Sequence, residues 1–418
     1  MRLNVVKILF CAAIGLAAAG QMVAQPAQPA LHWVGSWAAS QQIPETANLL
    51  DPELMRDATL RQIVHLSVGG SQLRVRLSNA FGTQPLHLTS VHVARPEATI
   101  TEGGTIDMAS DRVVMFHGAP DVTIPAGAEY LSDAVALPVA ALSNLAISIH
   151  FDQPPVGETG HPGSRATSYV AHGDLVSAAS LPDAKTVEHW YQVSGVDVVG
   201  PEKAETVVTL GDSITDGHGT TTNGNDRWPD VLSGRMQTDK STRRMGVLNE
   251  GIGGNRLLLD GLGPNALARF DRDVVAQTAV RAVIVLEGVN DLGTLTRDHD
   301  VSAEEHAALV GRIEAAYSQM IERAHAHGIR VIGATILPYG GSNYYHPGPE
   351  SEADRQAINA WIREAGHFDA VVDFDKVTRD PAHPDHLLPA YDSGDGLHPG
   401  PVGYKTMGDA IPLTLLMR

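Results

Sequence analysis

Val207-Val208-Thr209-Leu210-Gly211-Asp212-Ser213-Ile214 is the stretch that decides the fold of this 418-residue chain. Its apolar, β-branched run ends abruptly at Gly-Asp-Ser, as a buried parallel strand ends at the carboxyl edge of a sheet. A serine at such an edge is a weak nucleophile unless a base takes its proton and donors stabilise the oxyanion. The stretch therefore predicts that a histidine, a carboxylate and several donors from later loops surround Ser213.

The segment after Pro201-Glu202-Lys203 alternates short apolar runs with helical patterns. Strands are predicted at 247–249, 282–286, 329–334 and 370–373, and helices at 302–327, at 351–365 and from Pro401 onward. Ser302 and Glu305 form a capping box at the start of the long helix. Because such alternation requires a parallel sheet with helices on both faces, residues 201–418 are predicted to form an α/β domain.

Residues 31–200 have a period of two instead. Leu73–Leu77 and Leu145–Phe151 alternate apolar and polar side chains, and glycine and proline turns separate such runs. This pattern predicts an all-β sandwich domain of about 170 residues. Two domains are also what a chain of this length predicts.

The first residues and the charge balance indicate where the protein acts. Arg2 and Lys7 precede a short apolar run, which predicts a cleavable signal peptide at 1–24 and a linker at 25–30. We therefore expect a secreted or periplasmic protein whose apolar run is too short to span a membrane. The only cysteine, Cys11, lies inside the signal, and the net charge of −18 argues against nucleic acid as a partner.

Three later segments supply what Ser213 requires. Asp395 and His398 lie three residues apart on a glycine-containing turn, so the carboxylate can orient one imidazole nitrogen while the other faces Ser213. Gly254 can bring a bare backbone N–H close to a ligand, and Asn290 offers an amide donor. With the N–H of Ser213 itself, three donors could converge on an oxyanion.

These four blocks, in this order, resemble the SGNH or GDSL-type esterases, which are named for such Ser, Gly, Asn and His residues. The resemblance implies a flavodoxin-like three-layer α/β/α domain, with Ser213, Asp395 and His398 as catalytic residues. It also implies that Ser213, Gly254 and Asn290 form the oxyanion hole, and that no cofactor or metal is needed. The block at Glu287-Gly288-Val289-Asn290 departs from the plainer pattern and leaves the role of Glu287 open. Around Trp33–Ser40, the β-rich half more loosely resembles the front domain of some bacterial extracellular members that act on plant polysaccharides.

Other residues have two readings each. Arg227 and His346 are candidates for lining a substrate pocket, whereas Asp212 and Asp291 are expected to order the loops that carry them. His383 and His386 are candidate metal ligands by their spacing. No carboxylate stands at ligand spacing from them, so no metal site is expected there. Trp33 and Trp37 are expected in the sandwich core rather than as a sugar platform.

The function expected from these observations is hydrolysis of short acyl esters, acetyl esters above all, on a plant polysaccharide or oligosaccharide. One alternative is a lipase or arylesterase of broad specificity. An alternative of another class is a carbohydrate-binding protein whose hydrolase domain is inert. An α/β-hydrolase is disfavoured, because Thr215 stands where the Gly-x-Ser-x-Gly elbow has its second glycine.

Overall fold

The structure, a computed structural model, describes residues 31–97 and 103–417. The expected signal peptide at 1–24 and the linker at 25–30 lie outside the described residues. His32–Arg418 forms one compact unit. None of the helices in the described ranges has the length and apolar character that a bilayer span requires.

A five-stranded parallel sheet is the centre of the second half. Its strands are β15 (Thr206–Gly211), β16 (Gly246–Gly251), β17 (Val280–Leu286), β18 (Arg330–Ala334) and β19 (Ala370–Val372). They lie in the order β16-β15-β17-β18-β19, so β15 has a neighbour on each side and is buried throughout. The Val207–Leu210 run is apolar because both faces of its strand are covered by other elements.

Helices cover this sheet in two groups. The helices are α1 (Ser213–Asp216), α2 (Trp228–Thr238), α3 (Ala266–Phe270), α4 (Val289–Thr296), α5 (Ala303–Ala326), α6 (Pro349–Arg363), α7 (Phe374–Thr378) and α8 (Pro401–Ala410). Helix α8 packs against α2 and α7, whereas α5 and α6 pack against each other and against β18. The expected capping box is present, with Ser302 as the N-cap of α5. The predicted three-layer α/β/α architecture with flavodoxin-like strand order is thereby confirmed.

The first half is antiparallel throughout. Its strands are β1 (Trp33–Ala38), β2 (Ala58–Leu66), β3 (Leu73–Ser78), β4 (Leu86–Leu88), β5 (Ser90–Ala94), β6 (Arg112–Val113), β7 (Val122–Ile124), β8 (Glu129–Leu131), β9 (Ser143–Phe151), β10 (Gly160–His161), β11 (Ser168–His172), β12 (Lys185–Val187), β13 (Trp190–Tyr191) and β14 (Val193–Val199). They form a four-stranded sheet (β1-β14-β3-β8), a six-stranded sheet (β12-β11-β2-β9-β5-β6) and two small two-stranded sheets. The two larger sheets share one apolar core, which contains Leu60, Val75 and Trp37, so the all-β expectation is confirmed.

The β-rich half lies directly against the edge of the parallel sheet. A Cβ atom at Gly246 in β16 would stand only 1.9 Å from the carbonyl oxygen of Gly35 in β1, so only glycine permits this approach. The N–H of Gly35 donates to the hydroxyl of Thr206 at 3.1 Å, and the N–H of Val247 donates to the hydroxyl of Ser67 at 2.9 Å. The β-rich half is thus held close to the strand that carries Ser213.

Candidate active site

The nucleophile block lies where β15 ends and α1 begins. Asp212 is the N-cap of α1, and its carboxylate accepts the N–H of Ile214 at 2.8 Å. Burial raises the pKa of Asp212 to about 7, against the opposing effect of that hydrogen bond. Asp212 therefore orders the turn that carries Ser213, as expected from the sequence. Its carboxylate bonds to the backbone of this turn.

The structure brings Ser213, His398 and Asp395 together in one line. The hydroxyl Oγ of Ser213 donates to Nε2 of His398 at 2.8 Å, and Nδ1 of His398 donates to Asp395 Oδ2 at 2.6 Å. Ser213 and His398 are each 8% exposed, so both are screened from bulk water yet open to the adjoining cavity. This geometry allows a proton to pass from Ser213 to His398 while Asp395 fixes the ring.

The turn that carries the base is built around Asp395. Its Oδ1 accepts the backbone N–H groups of Leu397 at 2.9 Å and of His398 at 2.8 Å. Burial would raise the pKa of Asp395, but the hydrogen bonds from His398 and Leu397 outweigh it and hold that pKa well below its usual range. Gly396 has a φ of +71°, and a Cβ there would lie 2.1 Å from the carbonyl oxygen of Gly341, so the turn requires glycine.

The expected oxyanion donors line the same cavity as Ser213. Gly254 has a φ of +68° and lies at the cavity surface. The amide of Asn290 accepts the hydroxyl of Tyr345 through Oδ1 at 2.6 Å and donates to the carbonyl of Asn255 through Nδ2 at 2.7 Å. Since an amide nitrogen carries two hydrogens, these contacts fix the orientation of Asn290 and leave one hydrogen for a ligand.

Asp291 and Arg269 support the loops behind the site. Asp291 accepts the N–H groups of Leu257 at 2.8 Å and Leu258 at 3.1 Å, as expected for a loop-ordering residue, while burial raises its pKa to about 6. Arg269, which sequence reasoning missed, donates to the carbonyl of Gly211 at 2.9 Å and to the side chain of Asn255 at 2.9 Å. It therefore ties the nucleophile strand to the loop that carries Gly254.

The role of Glu287, left open by the sequence, is structural in this arrangement. Its side chain is fully buried, lies 3.5 Å from Arg269 and does not line the cavity. Burial raises its pKa well above the usual range, and the same holds for Glu250, whose Oε2 accepts the hydroxyl of Ser40 at 2.8 Å. These carboxyl groups form a buried cluster with Arg269 beneath the site.

Two further candidates lie outside the cavity that holds Ser213. Arg227 is 6% exposed, donates to the carbonyls of Asp216 (at 2.9 Å) and Ser164, and lines a separate small cavity between α2 and the β-rich half. His346 is exposed on the loop after β18, whereas its neighbours Tyr344 and Tyr345 line the cavity. The expectation that Arg227 and His346 line the substrate pocket is therefore not met: Arg227 bonds to backbone carbonyls outside this cavity, and His346 is exposed and does not line it.

Sequence reasoning also missed the contribution of the β-rich half. Pro162, Gly163, Arg165 and His189 line the same cavity as Ser213, which has a volume of about 960 Å³. His161 in β10 lies behind them, with Nε2 at 2.9 Å from Oδ1 of Asp216 in α1. No local pattern marks these residues, because they reach the site only through packing of the two halves.

His218 is a further residue near the site that the sequence did not reveal. Its ring lies 4.2 Å from that of His398, and its Nε2 lies 4.0 Å from Asp395 Oδ2. Burial lowers the pKa of His218, and the neighbouring charges of His398 and Arg165 lower it further. A histidine five residues after the nucleophile was the available signal, but nothing in the sequence placed its ring.

Comparison with known families identifies the second half. Residues 209–406 match the GDSL-like lipase/acylhydrolase family. This part of the chain belongs to that family. The matched range includes Ser213, Gly254, Asn290, Asp395 and His398, so the predicted resemblance is confirmed. With this domain, the chain is a serine ester hydrolase.

Solved structures similar to this GDSL protein align with about half of the chain. A protein of the G-D-S-L family from Desulfitobacterium hafniense DCB-2 shares 24% identity, covering 49% of this chain and 96% of that one, at a TM-score of 0.37. A GDSL-like lipase from Bacteroides thetaiotaomicron VPI-5482 shares 23% identity, covering 51% of this chain and 89% of that one, also at a TM-score of 0.37. The acetyl xylan esterase AlAXEase shares 17% identity, covering 49% of this chain and 96% of that one, at a TM-score of 0.36. A comparison with curated protein sequences gives no match.

Proposed function

We propose that this GDSL protein hydrolyses short acyl esters, acetyl esters above all, of a plant polysaccharide or oligosaccharide through a Ser213–His398–Asp395 triad. The observation that carries the proposal is the continuous hydrogen-bonded line from Ser213 Oγ through His398 to Asp395. Each distance in it is short enough for proton transfer or for orienting the ring.

The proposed reaction has two steps. Ser213 attacks the ester carbonyl as His398 Nε2 takes its proton, and the N–H groups of Ser213 and Gly254 with the amide of Asn290 receive the oxyanion. His398 then protonates the leaving alcohol, which gives an acyl-enzyme. Water attacks the acyl carbonyl with His398 again as base, the bond to Ser213 Oγ breaks as Oγ takes the proton back from His398, and the acid is released. Asp395 stays ionised throughout and stabilises the protonated imidazole.

The saccharide part of the proposal is supported by the cavity. It is wide and open, it is lined by polar side chains from both halves, and its wall includes Tyr344, which is 59% exposed. An exposed aromatic ring beside hydrogen-bonding groups suits the flat apolar face and hydroxyl groups of a sugar. The expected export signal at 1–24 agrees with a substrate outside the cell.

Turnover of 4-nitrophenyl acetate by the intact protein tests the reaction. Ser213→Ala is expected to lower kcat by about 10⁴-fold or more while leaving the thermal unfolding temperature close to that of the wild type. Turnover no greater than that of Ser213→Ala would instead indicate an inert hydrolase domain.

Comparison of acetylated xylo-oligosaccharide with 4-nitrophenyl esters of two to twelve carbons tests the substrate class. We expect the highest kcat/KM on the acetylated saccharide. A maximum on the long-chain esters would favour a lipase instead.

A further inference from the structure

Arg165 is a residue of the β-rich half held rigidly at the edge of the active-site cavity. Its backbone has a φ of +48°, which is uncommon for a residue with a side chain. The carbonyl of Arg165 accepts the N–H of Asn223 at 2.8 Å, and the N–H of Thr167 donates to the Asn223 side chain at 2.8 Å. These hydrogen bonds to the GDSL half compensate for the unfavourable backbone conformation of Arg165 and fix the position of its Cα atom.

The guanidinium of Arg165 lacks an acidic partner. One terminal nitrogen donates to Nδ1 of His218 at 3.2 Å, and Nε is buried with no hydrogen-bond partner among the described residues. No carboxylate in the described part of the chain forms an ion pair with Arg165. Nε is enclosed, but the two terminal nitrogens carry further N–H groups besides the one bonded to His218, and a carboxylate would accept from two of these together.

The position of Arg165 indicates which part of a substrate it would meet. His218 connects it to the base, because the rings of His218 and His398 are 4.2 Å apart. His398 is the group that protonates the departing oxygen, so the alcohol part of the ester leaves on the histidine side of the site. The oxyanion donors come from other elements: Gly254 follows β16, and Asn290 lies in the first turn of α4.

We propose that Arg165 binds a carboxylate on the alcohol part of the substrate, so that the preferred substrates are acyl esters of hydroxy acids, such as acetylated uronic-acid sugars. This inference rests on the proposed esterase function and narrows its substrate class. The β-rich half is then a part of the active site that decides specificity, in addition to packing against the GDSL half.

Matched ester pairs test the inference on the full chain. 3-Acetoxybenzoate carries a carboxylate on its alcohol part, whereas methyl 3-acetoxybenzoate is its neutral counterpart. Each kcat/KM is divided by the alkaline hydrolysis rate of the same ester, which removes the difference in intrinsic reactivity. We expect a charged-to-neutral ratio above one that falls as ionic strength rises, since salt screens charge pairs.

Arg165→Gln is expected to lower that ratio by about 10-fold, as for loss of a hydrogen bond to a charged group. Arg165→Lys, which keeps the charge without the planar fork, should give an intermediate ratio and serves if the Gln variant folds poorly. Arg256→Gln is the matched control, because Arg256 lines the same cavity but already donates to the carbonyl of Asp260. Its ratio should stay within about threefold of the wild type.

Three results with the matched esters would overturn the inference. They are a wild-type ratio of one or less, an Arg165→Gln or Arg165→Lys ratio equal to that of the wild type, and an effect confined to Arg256→Gln. A preference for mono-(4-nitrophenyl) glutarate over 4-nitrophenyl butyrate that depends on Arg165 would place the carboxylate on the acyl part and would also contradict it. Failure to hydrolyse any of these esters, the neutral ones included, would instead contradict the proposed function itself.

Discussion

His161 in the β-rich half and Asp216 in the GDSL half meet directly behind the nucleophile, with Nε2 of His161 at 2.9 Å from Oδ1 of Asp216. Both side chains are 4% exposed, and Nδ1 of His161 donates to the carbonyl of Ser40 at 2.8 Å. Asp216 is the last residue of α1, the short helix that starts at Ser213. The position of Ser213 therefore depends on a residue from the other half of the molecule.

His161→Ala is expected to lower the free energy of unfolding by about 3 kcal/mol or more, because Asp216 would stay buried without its partner. Its kcat should fall as well, since α1 loses its support. Chemical denaturation and nitrophenyl acetate turnover measure the two effects. His172→Ala is the matched control: His172 lies in neighbouring β11 but is exposed, so a change within about 0.5 kcal/mol is expected. Equal stability of the two variants would contradict the role given to His161.

Asn290→Ala is expected to lower kcat by about 10²–10³-fold, the usual effect of removing one oxyanion donor. Tyr345→Phe separates this donor role from mere support, because it removes only the hydroxyl that orients Asn290. We expect about a 5-fold loss for Tyr345→Phe, since a neutral hydrogen bond of roughly 1 kcal/mol is removed. A loss below threefold for Asn290→Ala would exclude Asn290 from the oxyanion hole.

Asp395→Asn is expected to lower kcat by about 10³–10⁴-fold, as in other triads, because an amide nitrogen facing Nδ1 favours the wrong tautomer of His398. Asp392→Asn is the control in the same turn. Asp392 accepts the N–H groups of Gly394 at 2.9 Å and Gly396 at 3.1 Å, and an asparagine oxygen can do the same. The control should retain kcat within about threefold, since both backbone contacts are preserved. Similar losses in the two variants would show that only the shape of the turn matters.

Activity is expected to fall in acid because His398 must be neutral to accept the proton of Ser213. Protonation of Asp395 is excluded as the cause, since its pKa lies well below the usual range and its carboxylate remains ionised from pH 8 to 4.5. The dependence of kcat/KM on pH from 8 to 4.5 measures this effect. A flat profile over that range would contradict His398 as the base.

The free energy of unfolding is expected to fall as pH rises, because of Asp212. Its folded-state pKa of about 7 lies above the value near 3.9 expected in the unfolded chain. Between these values the folded state binds more protons, so this contribution to stability is full below about pH 4 and is lost as pH rises through 7. Asp212→Asn can still cap α1 and should flatten the decline between pH 5 and 8 in chemical denaturation. An unchanged slope would contradict the assignment to Asp212.

The fold and the four blocks were predictable because each depends on residues that are close together in the sequence. The β-branched run at Val207–Leu210, the capping box at Ser302 and the glycine turn before His398 act over a few residues, where spacing and backbone conformation decide the structure. Asp395 and His398 could be paired for the same reason. The meeting of Ser213 with His398 followed from a general rule, since the carboxyl ends of parallel strands share one edge of a sheet.

The wrong expectations concern side-chain direction. Arg227 follows the nucleophile closely in sequence, yet its guanidinium turns toward the carbonyl of Asp216 and away from the cavity. His346 lies on the loop of Tyr344 and Tyr345 but has left-handed backbone geometry, with a φ of +50°, and is exposed. Proximity in sequence fixes where a backbone lies but not which way a long side chain points.

The sequence alone determined the β-rich and α/β organisation, the family and the residues that carry the proposed chemistry. Only the tertiary structure decided that Arg165 lines the cavity of Ser213, that His161 contacts Asp216 behind it, and that Arg269 lies among buried carboxyl groups. His161 and Asp216 are 55 positions apart in the chain. No periodicity or short motif relates residues across such a distance, because their contact arises from the packing of one half against the other.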